Sequence, residues 1–137
     1  MKILLLGLSN KQGVKPFDSS TNSGKLVDMI IEKCAGFDLI KENLVPFAPL
    51  DRNGKLRYPN REELIEGTNR LFHMIDDYDC VVLFGKMVQD TVKKDSRFNE
   101  IKKIYAEHPS YIWVYKHKEI DDYIERIVSQ IKASRNR

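Results

Sequence analysis

The sequence holds only two cysteines in 137 residues, Cys34 and Cys80, too few for a four-cysteine zinc or iron–sulfur site. Each sits inside an apolar segment and reads as a reduced core thiol of a cytoplasmic protein. No apolar run approaches the ~20 residues of a membrane span, so no membrane partner is expected. The opening MKILLLGLSN lacks a small-residue cleavage site and reads as a buried strand, not a signal peptide. Neither GxxxxGKS/T nor GxGxxG occurs, which counts against an ordinary nucleotide-binding α/β protein. Charge of one sign is scarce too: 23 basic against 20 acidic residues leave +3, too little to identify a nucleic-acid binder.

What is present is ordinary in bulk and informative in order. The length suits one domain with a proper core over residues 1–137, and no repeat or linker interrupts it. Ile3-Leu4-Leu5-Leu6 is a continuous apolar run ending at Gly7, as a strand buried on both faces requires. From Asn22 the residues Leu26, Val27, Ile30, Ile31 and Cys34 recur at helical spacing, with Gly36 as a stop. Asp38 to Val45 returns to strand character, and residues 46–59 form a proline-rich loop. Asn60 with Glu63 resembles a capping box opening a helix that runs to Ile75.

Cys80 to Phe84 is a second buried strand ending at a glycine, and a short helix is predicted from Lys86 to Lys94. Ile104 to Glu107 is a weaker strand leading into the aromatic stretch His108 to Tyr115, where Trp113 and its neighbours can serve as strand core. Ile120, Tyr123, Ile124, Ile127 and Ile131 mark a last amphipathic helix. The alternation predicts a three-layer α/β/α fold around a mostly parallel four-stranded sheet. Ligands of such sheets bind outside the carboxyl ends of the strands. The three loops there carry Gly7-Leu8-Ser9-Asn10 with Pro16-Phe17, then Asn43, then His108-Pro109-Ser110. Basic residues gather around two of them: Lys11, Lys15 and Lys25 at the first, and Arg52, Lys55, Arg57 and Arg61 after Pro49.

In order, these pieces are a strand ending in glycine, PF, SGKL opening a helix, ENLVPF after the second strand, VVLFG, and HPS. From about residue 2 to residue 115 that series resembles the uracil-DNA glycosylase superfamily. The resemblance implies a monofunctional DNA glycosylase of base excision repair, acting as a monomer without cofactor. By the same likeness Gly7 and Phe17 face the flipped base, Phe17 stacking on it. Asn43 would read the base edge, and His108 would stabilise negative charge on the departing base. Ser110 would grip a phosphate of the target strand, and one of Tyr111, Ile112 and Trp113 would be the intercalating wedge. Lys55 and Arg57 are candidates for further DNA contacts, with Lys11, Lys15 and Arg52 beside them.

The chemistry accounts for these residue types. A base in a duplex must be extruded and then held, at a cost of a few kcal/mol. An aromatic face holds any base, worth ~1–3 kcal/mol, and an amide distinguishes one edge from another. A donor aimed at developing charge lowers the barrier to its departure.

The first motif departs from the superfamily, whose members read GQDPY, GINPG or GEAPG. Here Ser9 stands at the third position, Asn10 replaces the proline, and no carboxylate precedes Asp18. Asn10, with Ser9 as the weaker substitute, can position a water but cannot take its proton. The rival readings are a core-capping Phe17, an Asn43 serving only a turn, and a structural His108. The rival function is a catalytically weak or inactive binder of a base or nucleotide on the same fold.

Overall fold

The computed structural model describes residues 1–11 and 13–135. Four strands form one sheet: β1 (Lys2–Ser9), β2 (Asp38–Val45), β3 (Cys80–Phe84) and β4 (Lys103–Ala106). Their order is β2-β1-β3-β4 and all three pairings are parallel. The helices are α1 (Asn22–Lys33), α2 (Arg61–Met74), α3 (Lys86–Lys93), α4 (Pro109–Tyr115) and α5 (Ile120–Ser134).

The strand period of two divides the core between the faces. Ile3 and Leu5 pack with α1, α4 and α5 through Leu26, Ile30, Ile112, Ile124 and Ile127. Leu4 and Leu6 face the other way, against Leu71 of α2 and Val88 and Val92 of α3. The expected three-layer α/β/α architecture is therefore the observed one. β1 and β3 are the central strands and are buried nearly throughout, which explains their unbroken apolar runs.

Helix starts follow their local chemistry. Thr21 accepts the Gly24 amide at the head of α1. Asn60 and Glu63 cap each other's backbone at α2, so the capping box is real. The aromatic stretch after His108 is a correction, because it folds as α4 and not as strand. Its rings and β-branched residues favour a strand locally, but Pro109 sits at the first turn, where a missing N–H costs nothing. The chain passes from β1 to β2 on one side of the sheet, then crosses to β3 and β4 on the other. The carboxyl ends of β1 and β3 consequently flank the crevice where such sheets bind ligands.

Candidate functional site

The site begins with a glycine. Gly7 pairs with Asn43 across the β1–β2 ladder, and a β-carbon on Gly7 would lie 2.4 Å from Asn43 Oδ1 and 2.9 Å from Phe17 Cζ. A missing side chain therefore lets an amide and an aromatic ring close on the same point of the backbone. Phe17 takes a left-handed conformation, φ 46°, which is strained for a bulky residue. Its carbonyl accepts a hydrogen bond from Lys41 Nζ at 2.8 Å. The ring is 7 % exposed and meets Phe84 edge-on, centroids 5.1 Å apart, with the His108 ring at 6.2 Å.

Asn43 is buried at the end of β2. Its Nδ2 donates to Asn10 Oδ1 at 2.6 Å, and its main-chain carbonyl accepts from Arg70 Nη2. Asn10 in turn donates through its backbone N–H to the Phe47 carbonyl at 3.3 Å, which ties the first loop to the second.

His108 is the N-cap of α4, and its Nδ1 accepts the Ser110 amide at 3.1 Å, with Ser110 Oγ 2.8 Å away. Nδ1 is thus the unprotonated nitrogen, and the neutral ring carries its proton on Nε2. Among the described residues nothing accepts a bond from Nε2. Burial, and secondarily the positive charge of Lys11, holds the His108 pKa below its ordinary value. The ring is therefore a neutral N–H donor at pH 7.

Phe17, Asn43 and His108 line one cavity of about 60 Å³ together with Ser9, Asn10 and Lys11. Among the described residues Asp18 is its one carboxylate, and that group accepts from Ser20 N–H and Oγ at 2.9 and 2.8 Å. These bonds hold it ionised, with its pKa below the ordinary carboxylate value. Through Ser9, Asn10, Lys11 and His108 the cavity adjoins a groove of about 1580 Å³ between the 56–68 segment and α3. The groove is lined by Arg57, Arg61, Lys86 and Lys94 together with the carboxylates Asp90 and Asp95. Among the described residues no three His, Cys, Asp or Glu side chains are grouped to hold a metal, and no helix is long and apolar enough to cross a membrane. Cys34 and Cys80 are buried and unpaired, and burial pushes both thiols up.

With this geometry the molecule is structurally similar to SMUG2 of Pedobacter heparinus, at TM-score 0.75 and 18% identity over 99% of this chain and 76% of that one. The two share a fold. An azoreductase from Bacillus anthracis str. Sterne aligns at TM-score 0.41 and 11% identity over 99% of both chains, too loosely to carry an argument. No protein-family model and no curated protein sequence matches the chain.

The remaining expected residues fall in different places. Ser9 lines both the cavity and the groove. Ser110 lines the groove with its hydroxyl on the His108 ring. Of the three wedge candidates, Ile112 is 3 % exposed and Trp113 packs on the core, whereas Tyr111 is at the surface beside Tyr115 and Lys116.

Lys55 stands exposed on a hairpin closed by the Leu50–Leu56 bridge, beside a tip where Asp51 Oδ1 accepts the Asn53 and Lys55 amides. Arg57 is engaged within the protein. It donates to both oxygens of Glu63, at 2.7 and 3.2 Å, and to the Leu50 and Tyr58 carbonyls. Sequence reasoning missed Lys86 and Lys94 as groove residues, although Lys86 directly follows a strand-ending glycine. It also missed Lys41 and Arg70, whose roles depend on register and helix placement and leave no local signal.

Proposed function

We propose that this chain is a monofunctional DNA glycosylase, one uracil-DNA glycosylase-like domain over residues 1–137. It would hydrolyse the N-glycosidic bond of uracil or a related damaged base. The observation that carries the reading is the convergence of Phe17, Asn43 and a neutral Nε2–H on His108 around one cavity at the carboxyl ends of the strands. SMUG2, whose fold the chain shares, belongs to the uracil-DNA glycosylase superfamily and supports the same reading.

In this mechanism the extruded base enters beside the Phe17 ring, and the Asn43 amide reads its edge. The bond from the sugar carbon to the base nitrogen breaks with its electron pair leaving on the base. His108 Nε2–H donates to the base oxygen on which that charge collects. Water adds to the sugar carbon and, since neither Asn10 nor Ser9 can take its proton, loses it to solvent or to the ionised Asp18 carboxylate of the same cavity. The flanking strand runs along the groove past Lys11, Arg61, Lys86 and Lys94, with Lys55 on the outlying hairpin and Tyr111 as the wedge.

A base-binding protein with little or no turnover is the second reading. One observation favours it: Asn10 Oδ1 already accepts from Asn43, and no carboxylate stands at Ser9. Single-turnover excision on oligonucleotides carrying uracil, hypoxanthine or xanthine, paired and unpaired, with chelator present, decides between them. Release of a base by the wild type and its loss in His108→Ala supports the glycosylase. Binding of the base without release supports the second reading.

A further inference from the structure

Both residues proposed to hold the base have their main-chain carbonyls gripped by a cation from a neighbouring element. Lys41 of β2 donates to the Phe17 carbonyl at 2.8 Å and pairs with Asp28 of α1 at 2.6 Å. Arg70 of α2 donates through Nη2 to the Asn43 carbonyl, and its Nη1 lies 3.7 Å from Glu42. Lys41, Glu42 and Asn43 are consecutive on β2. One strand end thus carries the first cation, the second anion and the edge-reading amide.

Each grip answers a physical need. Phe17 holds a backbone conformation that an aromatic residue avoids, so something outside it must fix it there. Lys41 does so at the carbonyl, the point of the peptide that a turn about φ and ψ would move. β2 is the outer strand of the sheet, so its outward carbonyls lack ladder partners. Arg70 supplies one to Asn43, and α2 comes close enough because a β-carbon on Gly67 would lie 2.6 Å from the Leu44 carbonyl. Among the described residues, Arg70 Nε is buried without a partner.

We propose that Lys41 and Arg70 are positioning residues that fix the Phe17 ring and the Asn43 amide relative to each other, and so determine how tightly and how selectively the cavity holds a base. The proposal rests on the base-binding reading above. Lys41 governs the ring, so loosening it weakens the hold on every base alike. Arg70 governs the amide, so loosening it blurs the difference between bases.

The test pairs Lys41→Met and Arg70→Met with the partners they act through. Arg70→Met is expected to lower the rate ratio between the best and next-best base about tenfold, and Arg70→Lys to keep most of it. Lys41→Met is expected to raise KM about tenfold for every base with that ratio unchanged. Neither should add to its target, so Arg70→Met in an Asn43→Ala background and Lys41→Met in a Phe17→Ala background should cost nothing further. Additive losses, or an equal effect of Arg70→Met on all bases, would overturn the proposal.

If the wild type excises no base, the glycosylase reading fails by itself and the braces are judged by resonance. The Asn43 side-chain amide signal should then move in Arg70→Met and not in Lys41→Met. The ¹⁹F signal of fluorinated Phe17, assigned by its loss in Phe17→Leu, should do the reverse. Signals that stay in place in both variants overturn the assignment.

Discussion

The side-chain amides of Asn10 and Asn43 are bonded to each other, Asn43 Nδ2 donating to Asn10 Oδ1 at 2.6 Å. The bond fixes which way Asn43 faces: its NH₂ turns to Asn10 and its Oδ1 lies against Gly7. On the proposed glycosylase reading, Asn10 would therefore take part in reading the base edge by holding Asn43. Asn10→Ala frees the Asn43 amide to turn over, and selectivity between uracil and a poorer base is expected to fall about tenfold. Asn10→Asp keeps the acceptor and adds a group able to take a proton from water, so turnover should rise about tenfold or more. Single-turnover rates on matched oligonucleotides measure both. A slower Asn10→Asp would mean that the attacking water lies elsewhere.

Gly7 admits both Asn43 and Phe17 to one point of the backbone. Gly7→Ala must displace the amide, the ring or both, as overpacking of a tight site does, at ~1–3 kcal/mol. The excision rate is expected to drop about 100-fold, because a misplacement of about 1 Å costs on that order. Denaturant unfolding and excision assays on the same preparation check the two effects. A stable, fully active Gly7→Ala would show that Phe17 and Asn43 need not meet there.

The central strands were legible because each announces itself locally. Ile3 to Leu6 and Cys80 to Phe84 are short apolar runs closed by glycine, and such runs become buried parallel strands. The α4 helix was not legible, since Tyr111 to Tyr115 has a strand-like composition and only Pro109 and the capping His108 give the helix away. Within the site, the meeting of Phe17, Asn43 and His108 follows from topology, since Phe17 lies in the loop after β1, Asn43 near the carboxyl end of β2 and His108 just after β4. The Asn10–Asn43 bond spans 33 positions and depends on the β1–β2 register, which no local pattern carries. Arg57 misleads for the opposite reason. In sequence it is one of a basic cluster, but folding brings it to Glu63, the same side chain that completes the α2 cap.

That engagement with Glu63 separates Arg57 from the other cations lining the groove. Lys86→Ala and Lys94→Ala are each expected to reduce the slope of log affinity against log salt by ~0.9 on duplex DNA. Arg57→Ala should leave the slope alone and lower Tm instead. The Glu63 pKa is depressed, first by Arg57 and then by the Asn60 amide. Its contribution to stability is therefore present above the ordinary glutamate pKa and lost as pH falls through the lowered one. The Tm gap between wild type and Arg57→Ala should close over that same acid range. A change of salt slope in Arg57→Ala with Tm intact would return Arg57 to the DNA path.

His108 makes the sharpest claim about pH. Its Nδ1 accepts the Ser110 amide, which protonation of that nitrogen would forbid. Burial first and Lys11 second push its pKa below the usual 6.5. The unfolded chain therefore takes up the proton first as pH falls, and stability declines from about that usual value down to the folded pKa. Excision should stay level from pH 8 to the ordinary histidine value, with the acid limb only below it. Lys11→Ala removes the repulsion and should shift that limb upward. His108→Ala should cut turnover about 100-fold with DNA affinity retained and a modest fall in Tm from the lost α4 cap. A pH–rate profile of wild type and Lys11→Ala, with ¹⁵N resonances of the ring to follow its protonation, tests the set. An acid limb that coincides with an unperturbed histidine and ignores Lys11 would mean that another group titrates, and that His108 merely caps α4.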